Sequence, residues 1–183
     1  MIRSVSSLEW ISVQLSRRTF LGVARKGRGE VLRPPWALPE QAFQERCSRC
    51  GDCVSACPTH LLVSGGGAYP EADFNPARTG ANCTFCAACV DTCATGALVR
   101  QTGVPPWTLR AVINGDCLTS RQVVCYTCRD QCEFDAIRFQ WAVGGMAVPL
   151  VEAGNCNGCG ACIADCPTQA IRIQSIPINS QGL

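Results

Sequence analysis

One histidine in 183 residues, His60, is the scarcest resource in this sequence, and its isolation removes most acid–base and nucleophilic chemistry at once. A Ser–His or Cys–His pair needs an imidazole beside the nucleophile, whereas His60 directly follows Cys57-Pro58-Thr59 and reads as an ordinary helix residue. Glycine-rich nucleotide fingerprints are missing too, of both the dinucleotide and the P-loop kind. Asp52, Asp91 and Asp165 each stand beside or between cysteines and read as solvated carboxylates, so the chain is read as no enzyme. No long apolar run occurs. The most promising segment, Glu9 to Leu15, is too short and too polar to span a bilayer, which excludes membrane insertion. The basic stretch at the start is too short and too poor in aromatics to argue for nucleic acid.

What the sequence has in quantity is cysteine, 16 in all. They form four groups of four with none left over: Cys47, Cys50, Cys53, Cys57; Cys83, Cys86, Cys89, Cys93; Cys117, Cys125, Cys128, Cys132; and Cys156, Cys159, Cys162, Cys166. Three groups share the spacing C-x2-C-x2-C-x3-C, and the third keeps its end but stretches its first gap. Zinc sites usually consist of two separated C-x2-C pairs, while here three cysteines follow one another at intervals of three. A disulfide framework suits a small secreted chain with a signal peptide, a context this sequence does not offer. Three closely spaced thiolates wrap a short loop around one cuboidal [4Fe–4S] cluster and the fourth, on a following helical turn, goes to a neighbouring cluster; four groups imply four clusters per chain. Pro58 and Pro167, after the fourth cysteine of the first and last groups, complete the bacterial ferredoxin signature.

Thiolates change how composition and charge are read. Apolar residues make up 47% of the chain, but discounting the cysteines leaves about 38%, a thin core for this length. Metal–thiolate bonds should therefore supply much of the stability, and metal-free chain is expected to be largely disordered. The formal charge is +2. Each loaded site adds about −2, which takes the whole to about −6. Residues 1–46 carry eight basic against four acidic side chains, and residues 47–183 carry eight against ten. A basic arm precedes an acidic body.

From residue 47 onward the chain repeats a unit of roughly 35 residues. Alternating segments at 109–113, 136–141, 147–151 and 170–173 predict strands around the third and fourth cysteine groups, with a Gly144-Gly145 turn. The order is strand, cluster loop with short helix, strand, strand, cluster loop with short helix, strand. This is the layout of a dicluster ferredoxin. A looser copy runs through Leu61-Leu62-Val63, the turn Gly65-Gly66-Gly67 and Ala68-Tyr69-Pro70. Residues 101–106 read as a boundary. The expected class is α+β, with two tandem dicluster ferredoxin-like (β-α-β)2 units: an arm and linker over 1–46, a first unit over 47–103 and a second over 104–183.

In dicluster ferredoxins the fourth cysteine of each motif serves the other cluster. Adjacent pairing then gives Cys47, Cys50, Cys53 with Cys93; Cys83, Cys86, Cys89 with Cys57; Cys117, Cys125, Cys128 with Cys166; and Cys156, Cys159, Cys162 with Cys132. Nested pairing, of the first motif with the fourth and the second with the third, is the alternative. The seven residues between Cys117 and Cys125 read as a solvated loop, or else as a shield over the third cluster, with Arg121 able to bring it a positive charge. Gly158 and Gly160 are expected to let the backbone approach the cluster.

The arm carries Ser16-Arg17-Arg18, an arginine pair like that of twin-arginine export signals. The stretch after it, Gly22 to Glu30, holds no apolar run, so a cytoplasmic address is expected. Arg33-Pro34-Pro35-Trp36 is expected to lie extended, and reads either as a linker whose Trp36 covers the cluster domain or as an anchor for a partner. These features, with Gly67-Ala68-Tyr69-Pro70 and Cys156-Asn157-Gly158-Cys159-Gly160-Ala161-Cys162, resemble the NapF family of ferredoxin-type accessory proteins of periplasmic nitrate reductase. The resemblance runs from about Ser16 onward, and residues 1–15 extend beyond it. It implies a cytoplasmic protein that helps mature the catalytic subunit of that reductase, its partner, before export, by cluster assembly or redox conditioning. The alternative is a general electron-transfer ferredoxin feeding a redox enzyme.

Overall fold

The computed structural model describes residues 30–77, 80–141 and 144–176. The arginine pair and the rest of the arm up to residue 29 lie outside the described residues. Two small hydrophobic cores organise the chain, one around Phe43, Leu61, Leu62, Ala97 and Leu98, the other around Leu109, Ile137, Ile163, Ile171 and Ile173.

Around the second core, β3 (Leu109–Ile113) pairs antiparallel with β6 (Ile171–Ser175), and β4 (Ile137–Trp141) pairs antiparallel with β5 (Ala147–Val151). Alternation decides which side faces in: Leu109 and Ala111 on β3 and Ile171 and Ile173 on β6 are buried, with Ala111 opposite Ile173. The four predicted strands thus form within a residue or two of their expected limits. The first core has a shorter frame. There β1 (Leu62–Ser64) and β2 (Pro70–Ala72) make a three-residue hairpin across a turn at Gly66–Ala68. The outer strand pair is reduced to a single bridge between Ala37 and Leu98.

Short helices α2 (Asp52–Ser55), α3 (Ala88–Asp91), α4 (Thr127–Asp130) and α5 (Ala161–Ala164) carry the third cysteine of each motif. One turn is all the C-x2-C-x3-C spacing allows, because the chain must leave the helix to present its fourth thiol two residues later. The remaining helix, α1 (Glu40–Arg46), precedes the first motif and buries Phe43 completely.

Residues 30–46, which composition groups with the arm, are built into this frame. The Leu32 carbonyl accepts from the Ala72 N–H, and the Arg33 guanidinium grips the Glu40 carboxylate with two hydrogen bonds of 2.9 and 2.7 Å. Arg33 also lies over the Phe43 and Tyr69 rings, 5.0 and 5.3 Å from their centroids. Trp36 is only 8% exposed; its N–H donates to the Pro106 carbonyl and its own carbonyl accepts from Val99. Of the two readings of the Pro-Pro-Trp segment, the structure takes the covering one, since a buried ring cannot serve as an exposed anchor.

The two cores share a seam. Leu32, Phe74 and Trp107 pack against both, and the Trp107 ring meets Phe74 and Phe85 edge-on with centroids 5.8 Å apart in each case. Its indole N–H donates to the Asn157 carbonyl at 2.7 Å. Alongside, the Cys83 N–H donates to the Cys159 carbonyl at 2.8 Å, joining a cysteine loop of the first half to one of the second.

Candidate iron–sulfur centre

Cysteines from different motifs gather around common hollows. One hollow is lined by Cys47, Cys50, Cys53 and Cys93; another by Cys57, Cys83, Cys86 and Cys89, roofed by Trp36; a third by Cys132, Cys156, Cys159 and Cys162. The remaining set is seen at Cys128, whose thiol is surrounded by Cys117, Cys125 and Cys166. Each grouping takes three cysteines from one motif and the last cysteine of its neighbour, first with second and third with fourth. Among the described residues no group of three or more Cys, His, Asp or Glu could hold a single metal ion. Four thiols standing around a hollow suit a cuboidal iron–sulfur group, whose iron takes one thiolate at each corner.

The electrostatics are those of ligands waiting for a positive centre. Burial, then the neighbouring cysteines, pushes Cys53, Cys83 and Cys128 up to about 11 and Cys89 and Cys162 up to about 12. Without a positive centre beside them these groups stay protonated thiols; as thiolates each would destabilise the next. The fourth cysteines of the first half behave differently. Burial raises Cys57, but the N–H groups of Leu62, Leu61 and Thr59 outweigh it and lower the thiol below its ordinary value. At Cys93, burial is again outweighed, by the N–H groups of Leu98, Ala97 and Thr95 and by the Thr95 hydroxyl.

Gly158 and Gly160 line the hollow of the fourth set and also have a second reason to be glycine. Both have positive φ, 72° and 84°. A Cβ at Gly158 would lie 2.5 Å from the Leu109 carbonyl oxygen, and one at Gly160 would overlap the Phe74 ring. Close packing against β3 and against the seam, as well as backbone conformation, therefore requires glycine here. Arg121 pairs with Asp116 at 3.1 Å, with both side chains 61% exposed. Within the stretched motif, Val123 and Val124 are exposed, but Thr119 is buried.

A pattern missed at the level of sequence is Cys-x-Thr. It occurs at Cys57, Cys93, Cys117, Cys125 and Cys166, and in each case the threonine hydroxyl lies 3.2–3.9 Å from the cysteine sulfur. The repetition was visible in the spacing of these residues.

Comparison with known proteins agrees with the chemistry of the site. Residues 46–97 match the family model of the 4Fe-4S dicluster domain, and residues 148–171 match that of a 4Fe-4S binding domain. The ferredoxin-type protein NapF of Haemophilus influenzae is 45% identical over 148 residues, 81% of this chain and 81% of that protein. The protein of the same name from Escherichia coli K12 is 35% identical over 88% of this chain and 95% of its own length. A methylamine utilization ferredoxin-type protein, MauM, from Methylophilus methylotrophus is 32% identical over 80% of this chain and 71% of its own.

Proposed function

Because the chain belongs to the NapF family of ferredoxin-type proteins, we propose that it is a cytoplasmic carrier of four [4Fe–4S] clusters that assists maturation of the catalytic subunit of periplasmic nitrate reductase before export. The observation that carries this reading is the likeness to NapF, which extends over four-fifths of both chains at 45% identity. Ligands are assigned by adjacent pairing: Cys47, Cys50, Cys53 and Cys93; Cys83, Cys86, Cys89 and Cys57; Cys117, Cys125, Cys128 and Cys166; Cys156, Cys159, Cys162 and Cys132. The lining of the hollows supports that assignment. Two dicluster units, 47–103 and 104–183, result from it. Among the described residues no helix is long and apolar enough to cross a membrane.

When bound, such clusters supply one-electron redox chemistry and bridging iron. The chain's own part is to hold them between buried thiolates, to donate backbone N–H groups to the sulfurs, as Phe85 does to Cys83 and Ala170 to Cys166, and to keep water off with Trp36 and the seam. The partner is the metal-free catalytic subunit. Residues 1–29, the part of the basic stretch ahead of the folded frame, are its docking element.

Two measurements decide this. Full-length protein should retain metal-free catalytic subunit in a pull-down, and protein beginning at residue 30 should retain less; equal retention removes the arm from the account. Deleting the gene should leave exported reductase short of iron. Fully loaded reductase that merely lacks reductant would instead identify a plain electron relay.

A further inference from the structure

Hydroxyl groups are distributed unequally among the four thiol sets. The set formed by Cys117, Cys125, Cys128 and Cys166 has three: Thr119 at 3.2 Å from the Cys117 sulfur, Thr127 at 3.5 Å from Cys125, and Thr168 at 3.9 Å from Cys166. The first set has one, Thr95 at 3.8 Å from Cys93. In the second, Thr59 approaches Cys57 but directs its proton to the Asn82 carbonyl. In the fourth, the residue two beyond Cys132 is Phe134, which has no hydroxyl and is 46% exposed.

Against a thiolate, which has no proton to give, a threonine hydroxyl must be the donor. Thr119 is moreover the one buried polar side chain among the described residues, and its hydrogen bond is to the Cys117 sulfur. It is held there by the 3-10 turn Leu118–Arg121, which the stretched gap makes room for: the Gln122 N–H closes on the Thr119 carbonyl and the Val123 N–H on that of Leu118. The extra residues therefore insert a donor under the first cysteine of the motif. None of the other three motifs has room for such a turn after its first cysteine.

We propose that Thr119, Thr127 and Thr168 make the third set the electron-retaining site of the chain, the one whose cluster is reduced most readily. Donors aimed at cluster sulfurs stabilise the added negative charge of the reduced state and so raise the potential. The step is a one-electron reduction by a low-potential donor; the electron enters the cluster, every hydroxyl keeps its proton, and no bond is made or broken. This rests on the assignment of a cluster to Cys117, Cys125, Cys128 and Cys166 made above.

The test is a dithionite titration of iron-loaded, full-length protein at controlled potential, followed by electron paramagnetic resonance, with iron and acid-labile sulfide counted on the same samples. In unaltered protein one of the four clusters should be reduced ahead of the rest. In Thr119→Val and in the more open Thr127→Val, that leading signal should move to lower potential, with its reduction equilibrium shifted roughly tenfold toward the oxidised form per hydroxyl lost. Thr119→Ser should restore it, and Thr102→Val, at an exposed turn outside every motif, should leave all signals in place. A leading signal that stays put in both valine variants at full iron content overturns the hydroxyl assignment alone. Iron and sulfide counts in the unaltered protein that leave the third set without a cluster overturn the four-cluster reading, and this proposal with it.

Discussion

At Gly160 the Phe74 ring occupies the place where a side chain would begin, and a φ of 84° adds a conformational cost of about 1–2 kcal/mol for any residue with a Cβ. Phe74 cannot swing away freely, because its ring is packed against Trp107. Gly160→Ala should therefore lower the unfolding midpoint of the loaded protein. In a Phe74→Ala background the added loss should shrink to the conformational part, a coupling that a double-mutant cycle reads directly. Independent, additive losses would show that the ring does not constrain this position. The glycine was legible in the sequence as a special position, but its reason was not, since Phe74 lies in the other half of the chain.

Among the elements, α1 and β4 offer the sharpest contrast. Phe43 on α1 is fully buried, and truncating it to alanine should cost about 3–5 kcal/mol in a denaturant titration of loaded protein. Trp141 at the end of β4 is 80% exposed, and its alanine variant should stay within about 0.5 kcal/mol of the original. The second half could be read element by element because its strands alternate over five residues each, long enough for Leu109, Ala111, Ile171 and Ile173 to declare an inner face. In the first half the signal fades for a physical reason. A three-residue hairpin and the single Ala37–Leu98 bridge hold too few alternations to register, so the contribution of residues 30–46 emerges only once Phe43 and Trp36 are seen in place. The thiols themselves were legible throughout because their spacing is dictated by the geometry of the group they serve. The burial of Thr119 was not, since a stretched gap looks the same whether it bulges outward or turns in.

For the molecule as a whole, two small cores and 16 thiols predict a fold that depends on metal. Removing iron with a chelator under reducing conditions should abolish the cooperative thermal transition. An apoprotein that melts as sharply and as high as the loaded form would show that Phe43, Leu61 and their counterparts around Ile163 and Ile171 suffice alone. The join between the halves also bears on how the protein comes into being. A ribosome delivers the chain from its start, and Cys83 leaves the tunnel well before Cys159, whose carbonyl receives its N–H. Until the last motif emerges, the loop around Cys83 lacks its backbone partner, Trp107 lacks the Asn157 carbonyl, and Phe74 has no Gly160 to cover. The earlier half is thus finished by the later one: the loop around Cys83 has its full set of backbone partners only once the loop around Cys159 has formed.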